Sequence, residues 1–173
     1  MSEPSPTNHC GSCTACCKLV GVEELAKPLD SWCAHCDKGR GCRIYEERPP
    51  SCRGYACSWL AAREAGQAVD DALRPDRCHV VFHRREGDRE VMAHVDPARP
   101  DAWRAGAAMR MIADIASSGT PVMVRAGKLR VVVEAGGIHL AERCGTRPDG
   151  TEEYRKGRRV GSIASVGPAK PFG

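Results

Sequence analysis

Aromatic residues are scarce: three Trp, three Tyr and two Phe make up 5% of a 173-residue chain. A core with so few large rings is built mainly from Ala, Val, Leu, Ile and Met. No apolar run approaches the roughly 20 residues of a bilayer-spanning helix. Residues 1–9 are polar and carry Pro4 and Pro6, with no apolar h-region. The expectation is a cytoplasmic protein with no secretory signal and no membrane partner. A Gly-rich phosphate loop, a Ser/His/Asp set, a paired-carboxylate pattern and an internal repeat are all missing, which leaves no catalytic motif to start from. Net charge is only +4, and nucleic-acid binders concentrate their charge on one face. The one basic cluster, residues 155–159, has only Tyr154 beside it and reads as solvated, so nucleic acid is not an expected partner.

Cysteine is abundant, and unevenly placed. Eleven are present, and nine fall within residues 10–57: Cys10, Cys13, Cys16, Cys17, Cys33, Cys36, Cys42, Cys52 and Cys57. A lone cysteine is an ordinary small core residue, but nine at this density are either a disulfide framework or a metal site. A reducing compartment, an odd count and clustering at one end favour thiolate ligation of a metal ion or cluster. Cys78 and Cys144 lie outside the cluster and read as a buried strand residue and a free thiol on the tail.

Spacing leaves the metal open. Cys-x-x-Cys is a short loop that aims two sulfurs at one ion. Cys13-x-x-Cys16 and Cys33-x-x-Cys36, sixteen residues apart, fit a two-knuckle zinc site. Cys10-x-x-Cys13-x-x-Cys16 with a remote fourth cysteine fits a loop around a [4Fe–4S] cluster, without the usual following Cys-Pro. Cys16 and Cys17 are adjacent and point apart, so they face two sites or one of them bridges. Nine thiols cover two four-ligand sites with one spare, and Cys42, Cys52 and Cys57 are the natural remote ligands. His9 and His35 are possible replacements. Lys18, Arg40, Arg43, Arg48 and Arg53 lie among the ligands and are candidates to offset the negative charge of a thiolate site.

The double cysteine, followed by Gly41-Cys-Arg-Ile-Tyr45-Glu-Glu-Arg-Pro49-Pro-Ser-Cys52-Arg53, resembles the YkgJ-type cysteine-cluster family, a zinc- or iron-chelating domain. The resemblance covers residues 9–59, one third of the chain. It implies a bacterial intracellular protein that binds zinc, iron or an iron–sulfur cluster. Its implied ligands are Cys10, Cys13, Cys16, Cys17, Cys33, Cys36, Cys42 and Cys52; Cys57 is added on spacing. Some larger relatives are linked to protein lysine methylation, but this chain has no methyl-donor loop and that activity is not carried over.

The expected fold is α+β. An irregular Cys-rich metal-binding region (residues 9–66) packs on a small β-β-α-β-β unit (67–140), followed by a flexible, disordered basic tail (141–173). Residues 58–65 read as a helix ended by Gly66, and 78–83 and 90–95 as two strands. A helix is expected from Pro100 to about Ser117, with Trp103, Ala107, Met111, Ile112 and Ile115 on its apolar face. Residues 121–125 and 129–134 form a hairpin across 126–128. His79, His83 and His94 read as surface or edge histidines. The functional expectation is a protein chelating zinc or iron through its cysteines. The alternatives are a metal- or Fe–S-dependent enzyme, for example in protein modification, and a metal-stapled module for nucleic acid or protein.

Overall fold

The computed structural model describes residues 10–84, 87–146, 148 and 152–165. The fold is α+β. Five short helices, a two-stranded ladder and a six-stranded sheet appear in the order α1 (Ala15–Leu19), β1 (Cys36–Asp37), β2 (Gly41–Cys42), α2 (Pro50–Arg53), α3 (Ser58–Glu64), α4 (Pro75–Cys78), β3 (Val80–His83), β4 (Val91–Val95), α5 (Gly106–Ser117), β5 (Val122–Ala126), β6 (Leu129–Glu134), β7 (Gly137–Thr146) and β8 (Glu152–Gly161). The large sheet runs in sequence order from β3 to β8. Its pairs are antiparallel except β4–β5, which are parallel. A parallel pair needs a crossover, and α5 supplies it.

Period-2 alternation decides which residues meet α5. Val80, Phe82, Val91, Ala93, Val95, Val122, Val124, Val131, Val133 and Ile138 form one core with Trp103, Ala108, Ile112 and Ala116. β-Branched residues dominate the strands, as a pleated and packed surface favours. The β5–β6 turn needs Gly127 at φ +58°, the left-handed region that a two-residue hairpin loop demands. The opposite face of the sheet carries Val81, which packs with Leu19, Cys57, Trp59 and Leu60 from the Cys-rich segment. The sheet is thus sandwiched between α5 and the cysteine region.

Four expectations are corrected. The 100–117 helix is broken: residues Ala102–Arg104 form a separate 3-10 turn, Ala105 is extended, and α5 restarts at Gly106. Trp103 and Ile112 are buried as expected and Met111 and Ile115 pack against the core, while Ala108, Met109 and Ala116 are also buried and Ala107 is only half-buried. Cys78 ends α4 and does not lie in a strand, because His79 adopts φ +59° and redirects the chain into β3. His83 and His94 are buried, stacked at 5.0 Å between ring centroids with Tyr55 edge-on to His83, under the Cys-rich segment.

The fourth correction concerns the tail. Residues 137–146 and 152–161 are two ten-residue strands that extend the sheet, whereas a flexible segment was expected from 141. Charged residues in adjacent pairs replace apolar alternation there, and ion pairs between strands join Arg143 to Glu152, Arg155 to Glu142 and Lys156 to Glu134. An apolar pattern fails to mark strands whose outer faces meet water. Residues 166–173 lie outside the described residues.

Candidate functional site

The cysteine region is assembled by short turns, each tied to the next. Gly11 at φ +57° lets the chain fold back so that the Cys13 amide donates to the Cys10 carbonyl at 3.1 Å. Helix α1 then carries Cys16 and Cys17. The Cys33 amide donates to the Cys17 carbonyl at 2.9 Å, and the Cys36 amide to the Cys33 carbonyl at 3.1 Å. The β1–β2 ladder puts Cys36 directly opposite Cys42, at the close spacing of cross-strand partners. The Gly39 amide donates to Thr14 Oγ1 at 3.1 Å, holding this knuckle against the N-cap of α1.

Two prolines bring in Cys52. Pro50 opens α2 at a position where its missing N–H costs nothing, and the Pro49 carbonyl accepts from the amides of Cys52 and Arg53, both at 3.0 Å. Glu24 accepts from the Ser51 hydroxyl at 2.6 Å and from its amide at 3.1 Å, binding α2 to the 23–25 turn. Cys57 is the buried N-cap of α3.

The thiols fall into two groups. In the first, Cys17 shares side-chain hydrogen bonds with Cys16 and Cys36. The Cys17 thiol is pushed far up, by the bond to Cys16 first, then by burial, with Lys27 opposing. Burial and Cys17 push Cys36 up to about 11, against the Thr14 hydroxyl. Burial raises Cys52 too, with Cys17, Cys33 and Cys42 acting in the same direction. In the second group, burial, then Cys57 and Cys13, push Cys10 up to about 11. Burial raises Cys13, opposed by the backbone amides of Ala15 and Asp76 and by Arg74. Burial also raises Cys57, opposed by the amides of Leu60 and Trp59. Cys78, which sequence reasoning left outside the set, is raised by burial and feels the charge of Cys13.

Cys13 therefore stands with Cys10, Cys57 and Cys78, and Cys36 with Cys17 and Cys42; the adjacent pair on α1, Cys16 and Cys17, belongs to the first group. None of the eleven cysteines is in a disulfide. Among the described residues no three His, Cys, Asp or Glu side chains converge tightly enough to hold a metal ion. By donor chemistry the residues fit a thiophilic metal; as they stand, the sulfurs are gathered into neighbourhoods and not around a point.

The cations expected near the thiols are differently employed. Lys18 pairs with Asp96 at 2.5 Å and lies over Trp32. Arg48 stacks on Tyr45 at 3.6 Å and donates to its carbonyl. Arg40 pairs with Asp37, and Arg43 donates to the Ala34 carbonyl. Arg48 also acts on the Cys10 thiol, and two other cations, Lys27 and Arg74, act on thiols of the two groups. Lys27 is 8% exposed, and its ammonium donates to the carbonyls of Lys18 at 3.1 Å, Pro28 at 3.0 Å and Val20. Burial lowers its pKa, while Cys33, Cys17 and Cys16 favour the charged form. Arg74 donates to the Cys10 carbonyl at 3.1 Å and to Ser12 Oγ at 3.0 Å, and pairs with Asp76. Their sequence positions, one before a proline and one beyond the cluster, gave no signal. The region is bolted to the sheet by Asp30, which pairs with Arg125 of β5 at 2.7 Å. His9 lies outside the described residues. His35 is half-buried, and its carbonyl accepts from the Arg43 amide.

Comparison with protein-family models, with curated proteins and with solved structures returned no match. Among the described residues no helix is long and apolar enough to cross a membrane.

Proposed function

We propose that this is a cytoplasmic metal-binding protein that chelates zinc or iron, or an iron–sulfur cluster, through its N-terminal cysteines. The observation that carries this reading is the sorting of nine closely spaced, unbridged thiols into two neighbourhoods, each furnished with backbone amides or a cation. Neutral thiols at raised pKa gain little from standing together, whereas a bound cation removes their protons and turns each neighbour into a ligand. The resemblance to the YkgJ-type cluster supports the same chemistry on motif residues alone.

The groups supply Cys10, Cys13 and Cys57 on one side and Cys16, Cys17, Cys33, Cys36, Cys42 and Cys52 on the other. Binding draws the sulfurs in by rotation about their own side-chain bonds, on elements only a few residues long. A site closed by four cysteines is structural or storage; three cysteines and an open position make it reactive.

Single-cysteine variants test the assignment, each removing one ligand. Cys13→Ser and Cys33→Ser are each expected to lower metal per chain, measured by elemental analysis after anaerobic purification. Because they belong to different groups, each retains part of the wild-type content, and the double variant retains least. Unchanged metal in both single variants contradicts the assignment.

A further inference from the structure

Strand β8 is the last strand of the sheet, and among the described residues it pairs only with β7. β6 pairs with β7 at residues 137–140 alone, so 141–146 and 152–156 form a two-stranded arm that runs past the sheet. At ~3.3 Å per residue the arm is about 20 Å long. A two-stranded ribbon is marginal by itself in water. The arm carries little apolar surface to bury, so a partner must meet it through backbone and charge.

Charge along β8 is divided by its ends. Glu152 and Glu153 open the strand, Arg158 and Arg159 lie near its close, and all four are exposed. We propose that β8 is a self-association edge, at which two copies of this chain pair β8 with β8, antiparallel about a two-fold axis near residues 155–156. That arrangement lays the acidic end of each copy along the basic end of the other, twice over, and joins two six-stranded sheets into one. The axis makes the contact isologous, so it closes at two chains.

Beside the axis Arg155 of each copy faces Lys156 of the other, a like-charge pair, but each already has a carboxylate in its own chain, Glu142 and Glu134. Between residues 156 and 159 β8 advances one residue more than β7 does, which is a bulge. Bulges and charged side chains discourage indiscriminate pairing at a free edge. They leave the edge selective for a strand of opposite charge order, and β8 run backwards is such a strand. Glu152 now contacts Arg143 and Tyr154, and the Arg159 guanidinium lies across Gly137. These are exposed contacts of small energetic weight that can be shared with a second copy. The proposal is independent of metal binding.

Sedimentation of the full chain at low and high salt tests it. The expected result is a species of twice the 18.7 kDa chain mass at low salt, dissociating as salt screens the pairs. Glu152→Lys with Glu153→Lys makes both ends of the strand basic, and Arg158→Glu with Arg159→Glu makes both ends acidic. Each double variant alone is expected to self-associate about tenfold or more weakly, and an equimolar mixture of the two to recover the two-chain species. Hydrogen exchange on the wild-type chain gives a readout without substitution: β8 amides gain protection as protein concentration rises. A wild-type chain that stays monomeric at low salt, variants that associate as the wild type does, a mixture that stays monomeric, or β8 exchange that ignores concentration each overturns the proposal.

Discussion

Lys27 carries its charge almost out of water, at 8% exposure, on a segment with few buried residues. Burying an ammonium is costly unless all its protons are placed, and here three carbonyls, those of Lys18, Val20 and Pro28, take them. Two of those carbonyls end α1, where a cation complements the negative pole of a helix. The same ammonium opposes the rise in the Cys17 pKa, and the charges of Cys33, Cys17 and Cys16 in turn favour its protonated form. Lys27→Met keeps the apolar stem and removes the three donors. It is expected to destabilise the fold by about 1–3 kcal/mol, read as a lower urea midpoint, and to weaken metal retention by the first thiol group. A variant with wild-type midpoint and metal content contradicts this role. In the sequence the residue looks like any lysine before a proline; only the path of residues 18–28 in space shows why it is there. The clustering of the nine cysteines was legible from their density alone. Their division into groups was not, since it depends on how turns at Gly11, Gly39 and Pro49–Pro50 fold back, and Cys78 was set apart because residues 78–83 read as one strand.

Among elements, α5 shows what periodicity gives and what it leaves out. Its existence and its end before Gly119 follow from spacing and composition, as do β3 to β6. The break at Ala105 does not follow, and with it Ala108, Met109 and Ala116 join the expected Ile112 on the buried face while Ala107 is only half-buried. Ile112 sits at the centre of that face with no exposure, against Val124 and Val131 of the same core. Ile112→Ala is expected to cost about 2–5 kcal/mol by lost transfer energy and the cavity left behind. Ala107→Ser on the half-buried side is expected to change stability by less than about 1 kcal/mol. Equal losses in the two variants, measured by chemical denaturation, would contradict the half-buried placement of Ala107. Strands β7 and β8 mark the opposite limit: ten residues each, they are held at their outer ends by Arg143–Glu152 and Arg155–Glu142, and hydropathy is blind to them.

For the molecule as a whole, the sheet is the platform and the cysteine region is the layer laid on it. Leu19, Trp59 and Leu60 give that layer a small apolar anchor against Val81, and Asp30–Arg125 and Lys18–Asp96 fix its edges. The order of elements was readable from residue 58 to 134, where patterning is strong. From 10 to 57 it was readable only as chemistry, because turns and ladders of two to five residues carry no period.

The most direct test is anaerobic purification of the full chain followed by metal analysis and an absorption spectrum, with a count of reactive thiols before and after chelation. The prediction is zinc or iron retained in near-integral amount per chain, with most of the nine N-terminal thiols unreactive until the metal is stripped. A broad band near about 400 nm with labile sulfide identifies an iron–sulfur cluster, and a colourless zinc protein identifies thiolate-bound zinc. A folded, metal-free chain whose thiols all react at once, with stability unchanged by a chelator, would contradict metal binding at this site.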